Sequence, residues 1–236
     1  IEDCASAMGA RIAGRLAGSF GDYVIYSTGH AKTLDLNEGG LVAAKKISDS
    51  VRKIIRDLKC QSDQGRQLSE SYAVTYRKFL NTRKPLDAFA ERDYFTKDFR
   101  EMLIFGPSKT YVETVDNAIS DKLPTEVLRR RADHQRMSLL IPSALPGLRS
   151  YVYSPEAVPW RYSFFVKEEK RQAVADAMLS VGLPVSDWYP AIAELFSDAQ
   201  HYPCAEKLGR TILNLPLGLR DRDLENAADI LRDFMS

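Results

Sequence analysis

IEDCASAMGARIAGRLAGSFGDYVIYSTGHAK, residues 1–32, is the stretch on which the fold turns. Within it YVIYS, Tyr23–Ser27, is β-branched and aromatic, with Gly21-Asp22 before it and Gly29 after, which predicts a short buried strand. Ile1-Glu2-Asp3 reads as the end of another strand whose first half is missing. Asp3 and Ser27 then stand at strand ends, and Lys32 follows Ser27 by five residues. In open α/β sheets ligands gather outside the carboxyl ends of strands. A carboxylate, a hydroxyl and an amine on two such ends could hold an anionic cofactor that carries a carbonyl. Spacing alone supports this weakly. Lysines are mostly solvated surface groups, Asp3 also suits a turn or cap, and Ser27 suits a strand-end hydrogen bond.

Working outward, Gly39-Gly40 followed by Leu-Val-Ala-Ala predicts a tight turn into a second strand. Val51, Ile54, Ile55 and Leu58 recur at helical spacing, so 49–58 is expected to be an amphipathic helix packed on one face. The passage from Cys60 to Ser108 is polar and aromatic with no clear period. Residues 110–136 are more helical, and Pro124 suggests a break between two helices. Pro142, Pro146, Pro155 and Pro159 punctuate a loop-rich passage. Beyond it come a strand at 160–166, a helix at 168–181 closed by Gly182, a strand at 211–215 and a helix at 221–235 with Asp221 as candidate N-cap. That alternation from about Val158 onward predicts a small α/β domain.

Composition narrows the function classes. The chain has 236 residues and a formal charge of +1, so its length allows one large domain or two small ones. Near-neutral charge argues against a nucleic-acid or membrane-surface protein. The basic cluster Leu128-Arg129-Arg130-Arg131 is expected to be a solvated helix face. Cys4, Cys60 and Cys204 are widely spaced and form no CxxC pair, and with three histidines a structural zinc site is not expected. Such cysteines look like reduced thiols of a cytoplasmic protein. No apolar run approaches bilayer length.

The first forty residues resemble the DegT/DnrJ/EryC1/StrS family of pyridoxal-phosphate sugar aminotransferases, over the segment from its cofactor aspartate to its cofactor lysine. The matching features are Glu2-Asp3-Cys4-Ala5, Gly14, Gly18-Ser19-Phe20-Gly21-Asp22, Ser27, Lys32 and Glu38-Gly39-Gly40. The passages GLPVSDWYP (182–190) and HYPCAEKLGRTILNLPL (201–217) and the final helix are similar to the family's small domain. The resemblance implies the fold type I of pyridoxal-phosphate enzymes, aspartate aminotransferase-like. Residues 1–110 would be the C-terminal part of the large cofactor-binding domain, 111–157 connecting helices and loop, and 158–236 a small α/β domain. The N-terminal part of the large domain would precede this chain or be supplied separately.

Carried over by position, the resemblance implies that Lys32 bonds covalently to pyridoxal 5'-phosphate. Asp3 would face the pyridine nitrogen, and Ser27 would contact the phosphate. Three residues after Asp3, where the family places glutamine or histidine against the ring, stands Ser6. A carboxylate against the ring nitrogen keeps it protonated and electron-accepting. A desolvated lysine amine is more nucleophilic near neutral pH and can carry a proton once released. The implied activity moves an amino group from an amino acid, glutamate foremost, to a nucleotide-linked keto sugar, in a cytoplasmic homodimer without nucleic-acid or membrane partners. Two alternatives stand beside it. Sugar dehydratases of the family typically carry histidine where Lys32 stands. A non-catalytic or regulatory relative would fit Ser6 and the missing N-Y-R-like segment, for which YAVTYRKFLNTRK (72–84) is no convincing counterpart.

Overall fold

The computed structural model describes residues 1–58, 63–82, 97, 101, 105–141, 145–187 and 202–235. Cys60, Pro142, Trp188-Tyr189-Pro190 and His201 lie outside the described residues. The chain forms two compact units whose segments are interleaved along its sequence. The first takes Ile1–Ala5 and Gly18–Lys122. The second takes Ser6–Ala17 and nearly everything described after Lys122.

The first unit is built on a three-stranded sheet in the order β1 (Glu2–Asp3), β4 (Tyr23–Ser27), β5 (Gly40–Ala44). β1 runs parallel to β4, with Asp3 level with Ile25. β5 returns antiparallel and places Gly40 opposite Ser27. β4 and β5 fall at the spans predicted for them, but β4 is not the buried strand expected: only Val24 is buried, and Ile25 is 43% exposed. α1 (Asp49–Asp57) starts at Ser48, whose hydroxyl accepts the Val51 amide at 3.3 Å. Its expected packed face is not packed: Ile54 is 63% and Ile55 46% exposed, and no α1 residue is buried. Periodicity defines which side of a helix is apolar, but not that an element lies against it. α2 (Asp63–Thr82) carries the parallel-stacked rings of Tyr72 and Tyr76, 5.9 Å apart. α3 (Lys109–Asn117) is capped by Ser108 and runs into a π-helical turn, Ala118–Lys122.

The second unit begins with a hairpin of β2 (Arg11–Ile12) and β3 (Arg15–Leu16) that sequence reading did not foresee. Its turn residues Ala13 and Gly14 have φ of +50° and +78°, the left-handed pair that a two-residue hairpin demands. Arg11 and Gly14 are tied to Glu156, whose carbonyl accepts the Arg11 amide at 2.9 Å and whose carboxylate accepts the Gly14 amide at 2.7 Å. α4 (Leu123–Leu140) has Pro124 as its second residue, where the missing amide costs little, and the irregular turn falls just before it.

The sheet β6 (Arg149–Ser150), β7 (Tyr162–Phe165), β8 (Ile212–Leu215) is antiparallel throughout. α5 (Glu168–Ser180), α6 (Pro203–Thr211) and α7 (Asp221–Met235) complete the unit. Tyr162, Phe164, Val174, Met178, Leu213, Leu215, Leu224 and Leu231 form the centre of its core and are fully buried. Each such side chain contributes roughly 1.5–3 kcal/mol of burial. The one asparagine among them, Asn214, is satisfied: it accepts from the Ser163 hydroxyl at 2.7 Å and donates to the Ser186 carbonyl at 3.3 Å.

Two details depart from expectation. Arg130 is 7% exposed and donates to the Trp160 carbonyl at 3.1 Å, while Arg131 donates to the Ala157 and Glu156 carbonyls at 2.9 Å. Only Arg129, paired with Glu126 and Asp133, behaves as a surface charge. Guanidinium groups are gathered by a loop that turns its carbonyls toward the helix, which a charge count along the sequence does not reveal. Asp221 is the first residue of α7 itself, and its carboxylate accepts from Arg136.

Candidate active site

Parallel pairing decides the site's layout. Because β1 and β4 run in the same direction, their carboxyl ends open on the same edge of the sheet. Asp3 closes β1, and Ser27 closes β4 two residues beyond Asp3's partner Ile25. Asp3 is exposed, and one carboxylate oxygen accepts the Ala5 amide at 2.9 Å. Ser27 is half-buried, and its hydroxyl accepts the Gly29 amide at 3.3 Å. Lys32 is half-buried on the loop that begins at Thr28, with its amide donating to the Gly29 carbonyl at 3.2 Å. All three belong to the first unit. Ser6 is exposed and opens the segment that belongs to the second.

The loop carrying Lys32 is built, not slack. Ala31, directly before the lysine, has φ +63°, a left-handed conformation that costs a residue other than glycine about 1 kcal/mol. Asp35 sustains it by accepting the Ala31 amide at 2.7 Å and the Asn37 amide at 2.9 Å. His30 is 86% exposed, with Nδ1 3.6 Å from the same carboxylate, so it is a turn residue at the loop's rim. At the neck, the Thr28 amide donates to the Gly39 carbonyl at 3.3 Å and the Thr28 carbonyl accepts the Leu36 amide at 2.9 Å.

In the sequence Glu2 stands out only as part of a motif, yet it organises the start of the candidate site. Its carboxylate accepts three backbone amides, from Gly18 at 2.6 Å and from Phe20 and Gly21 at 2.9 Å, and the buried Cys4 thiol at 3.5 Å. The residue before Asp3 thus clasps the segment that leads into β4. The Gly21 amide first, then those of Gly18 and Phe20, hold the Glu2 carboxyl down at about 2 from its ordinary 4.5. Burial and the neighbouring Glu2 charge push the Cys4 thiol up to about 11, so it is not a reactive thiolate.

A depressed carboxyl contributes stability that is complete above its unfolded value and is lost as pH falls through the folded one. The melting temperature of Glu2→Gln is therefore expected to lie below that of the unaltered protein above about pH 5, with the gap closing as pH drops from 4.5 toward 2. Thermal melts followed by circular dichroism across that range check it. A gap independent of pH would show that the ionised carboxylate is not what holds the segment.

No group of histidine, cysteine, aspartate and glutamate side chains suited to a metal is found among the described residues, and no helix there is long and apolar enough to cross a membrane.

Comparisons with known proteins bear on this arrangement. Residues 1–79 match the family model of the DegT/DnrJ/EryC1/StrS aminotransferase family. No curated protein matches the chain. Among solved structures, DesI in the presence of its TDP-sugar product is similar over 98% of this chain and 54% of its own, at 19% identity and TM-score 0.65. A DegT DnrJ EryC1 StrS aminotransferase from Brucella abortus is similar over 99% of this chain and 56% of its own, at 16% identity and TM-score 0.63. E coli GDP-4-keto-6-deoxy-D-mannose-3-dehydratase with bound hydrated PLP is similar over 99% and 59%, at 16% identity and TM-score 0.62. The chain spans just over half the length of these structures. By sequence over residues 1–79, and by fold over nearly all of its length, it is similar to the DegT/DnrJ/EryC1/StrS aminotransferases.

Proposed function

We propose that the intact protein transfers an amino group from an amino acid, glutamate foremost, to a nucleotide-linked keto sugar, using pyridoxal 5'-phosphate. The observation that carries this reading is the parallel pairing of β1 and β4, which brings Asp3 and Ser27 to one sheet edge beside the loop of Lys32. The residues there fit the cofactor by the chemistry of the donor set. Asp3 offers a carboxylate for a protonated ring nitrogen, Ser27 offers its hydroxyl proton to a phosphate, and Lys32 offers the amine for an aldehyde. When bound, the cofactor supplies that aldehyde and a ring that accepts an electron pair. The protein's part is to hold the ring's charge through Asp3, anchor the phosphate end through Ser27, and move a proton through the Lys32 Nζ.

In this reading residues 1–110 belong to the cofactor-binding part, 111–157 connect, and 158–236 form the small domain. Ser6 takes the sequence position at which the family places a residue against the ring, two copies of the chain work together, and the setting is the cytoplasm. The similarity to DesI with a TDP-sugar supports a nucleotide-linked substrate. The similarity to a GDP-sugar dehydratase keeps dehydration as the second reaction to test, against which Lys32 itself argues, since the family's dehydratases typically carry histidine there.

The test is direct. Protein loaded with pyridoxal phosphate is treated with borohydride, and peptide mass spectrometry should find the cofactor fixed on Lys32. Glutamate should then release 2-oxoglutarate from untreated loaded protein. Failure to take up the cofactor points to a non-catalytic relative, and uptake without 2-oxoglutarate points to dehydration.

A further inference from the structure

The loop that presents Lys32 is closed from outside itself, by a tyrosine some eighty residues away in sequence. Tyr111, on α3, is 5% exposed, and the hydroxyl end of its ring stands against Gly39. A Cβ on Gly39 would stand 2.6 Å from the ring, and Gly39 has φ +76°, so only glycine fits. The Tyr111 hydroxyl is 2.8 Å from the Thr28 hydroxyl, which is itself fully buried and 2.7 Å from the Glu38 carbonyl. A threonine hydroxyl has a single proton, and a carbonyl can only accept. With Thr28 donating to Glu38 at 2.7 Å, the single Tyr111 proton goes to Thr28 at 2.8 Å in preference to the Gly40 carbonyl, which stands at 3.4 Å, long for a hydroxyl donor. A second tie runs alongside: the Glu38 carboxylate accepts the Ser108 amide at 2.8 Å and the Ser108 hydroxyl at 2.5 Å, at the cap of the same helix. Both ties meet at Thr28, Glu38 and Gly39, the neck of the Lys32 loop.

We propose that Tyr111 is a positioning residue for Lys32, its hydroxyl setting through Thr28 where the loop presents the lysine amine. The inference rests on the reading of Lys32 as the cofactor lysine. A buried directional relay holds the Thr28 hydroxyl from two sides where the loop leaves β4, whereas ring packing on Gly39 alone would leave that hydroxyl only its bond to Glu38. Tyr111→Phe keeps the ring and removes the donor.

Three measurements separate positioning from mere support. In cofactor-free protein, amide hydrogen exchange at 28–39 should quicken in Tyr111→Phe while exchange in the second unit is unchanged. In loaded protein, the pH midpoint of the cofactor's visible absorption band should shift. The kcat should fall by about tenfold or more with KM little altered, since misplacement of order 1 Å can cost up to ~10²-fold. Thr28→Ser keeps the relay and should behave as the unaltered protein, whereas Thr28→Val should reproduce Tyr111→Phe. If unaltered protein is labelled on Lys32 but Tyr111→Phe changes only the melting temperature, the inference fails and the cofactor reading stands. If unaltered protein is not labelled on Lys32, the reading fails and the inference with it.

Discussion

Lys32→Ala is expected to lose borohydride-stable attachment of pyridoxal phosphate completely and to lower turnover by about 10³-fold or more, in line with the ~10²–10⁴ that a positioned acid–base group contributes. The same amine is assigned two tasks, bonding to the cofactor and carrying a proton, so one substitution removes both. Lys32→Arg should not restore activity, because a guanidinium stays charged and is a poor nucleophile. Stability should change little. Lys32 is half-buried on a loop whose shape is fixed by Asp35, Thr28 and Gly39, and such positions typically shift stability by about 0.5 kcal/mol. Unfolding curves of the variant, measured beside mass spectrometry of the reduced protein, separate the two effects. Undiminished labelling in Lys32→Ala would move the covalent role to another lysine.

Phe164→Ala should produce the largest loss of stability from a single change in the second unit. Phe164 is fully buried in β7, the middle strand, where it stands opposite Ser150 on one side and Leu213 on the other. Neighbours on two strands cannot collapse into the space it leaves without breaking the ladder, so the cavity persists. Such truncations cost about 3–5 kcal/mol, a large share of the roughly 5–15 kcal/mol that holds a domain together. The melting temperature should fall by ~10 °C or more. Phe164→Leu, which keeps most of the volume, should cost less than half as much. Urea unfolding read by tryptophan fluorescence gives both values, and a loss under about 1 kcal/mol for the alanine variant would mean that the site repacks.

What the sequence made legible follows from which signals are local. The spans of β4, β5 and α7 were set within a few neighbouring residues, by apolar period and by glycine punctuation, and they were read nearly to the residue. The β2–β3 hairpin escaped because Ala13-Gly14 lacks the usual asparagine or aspartate, and all four of its strand residues are exposed, leaving no alternation to detect. β6 is two residues long and is defined only by its pairing with β7. At the candidate site, Asp3, Ser27 and Lys32 could be singled out because strand ends are visible in sequence. Their common edge could not, since it depends on β1 and β4 running parallel. The Glu2 clasp and the Tyr111 relay span sixteen and eighty-three residues of chain, and no short-range pattern announces a partner that far away.

The interleaving of the two units along the chain has a consequence for anyone who would dissect it. Residues 6–17 are detached from the strand that precedes them and the strand that follows, and they belong instead with sequence beginning more than a hundred positions later. Gly9 comes so close to Val127 that a Cβ there would stand 2.5 Å from its methyl, and Glu156 secures the hairpin. A recombinant piece starting at Leu123 would shed this amino-terminal patch and expose the surfaces it shields. One ending at Lys122 would carry twelve residues with nowhere to fold. Neither module can be excised with one cut, and on the ribosome the hairpin must wait for its host to be translated.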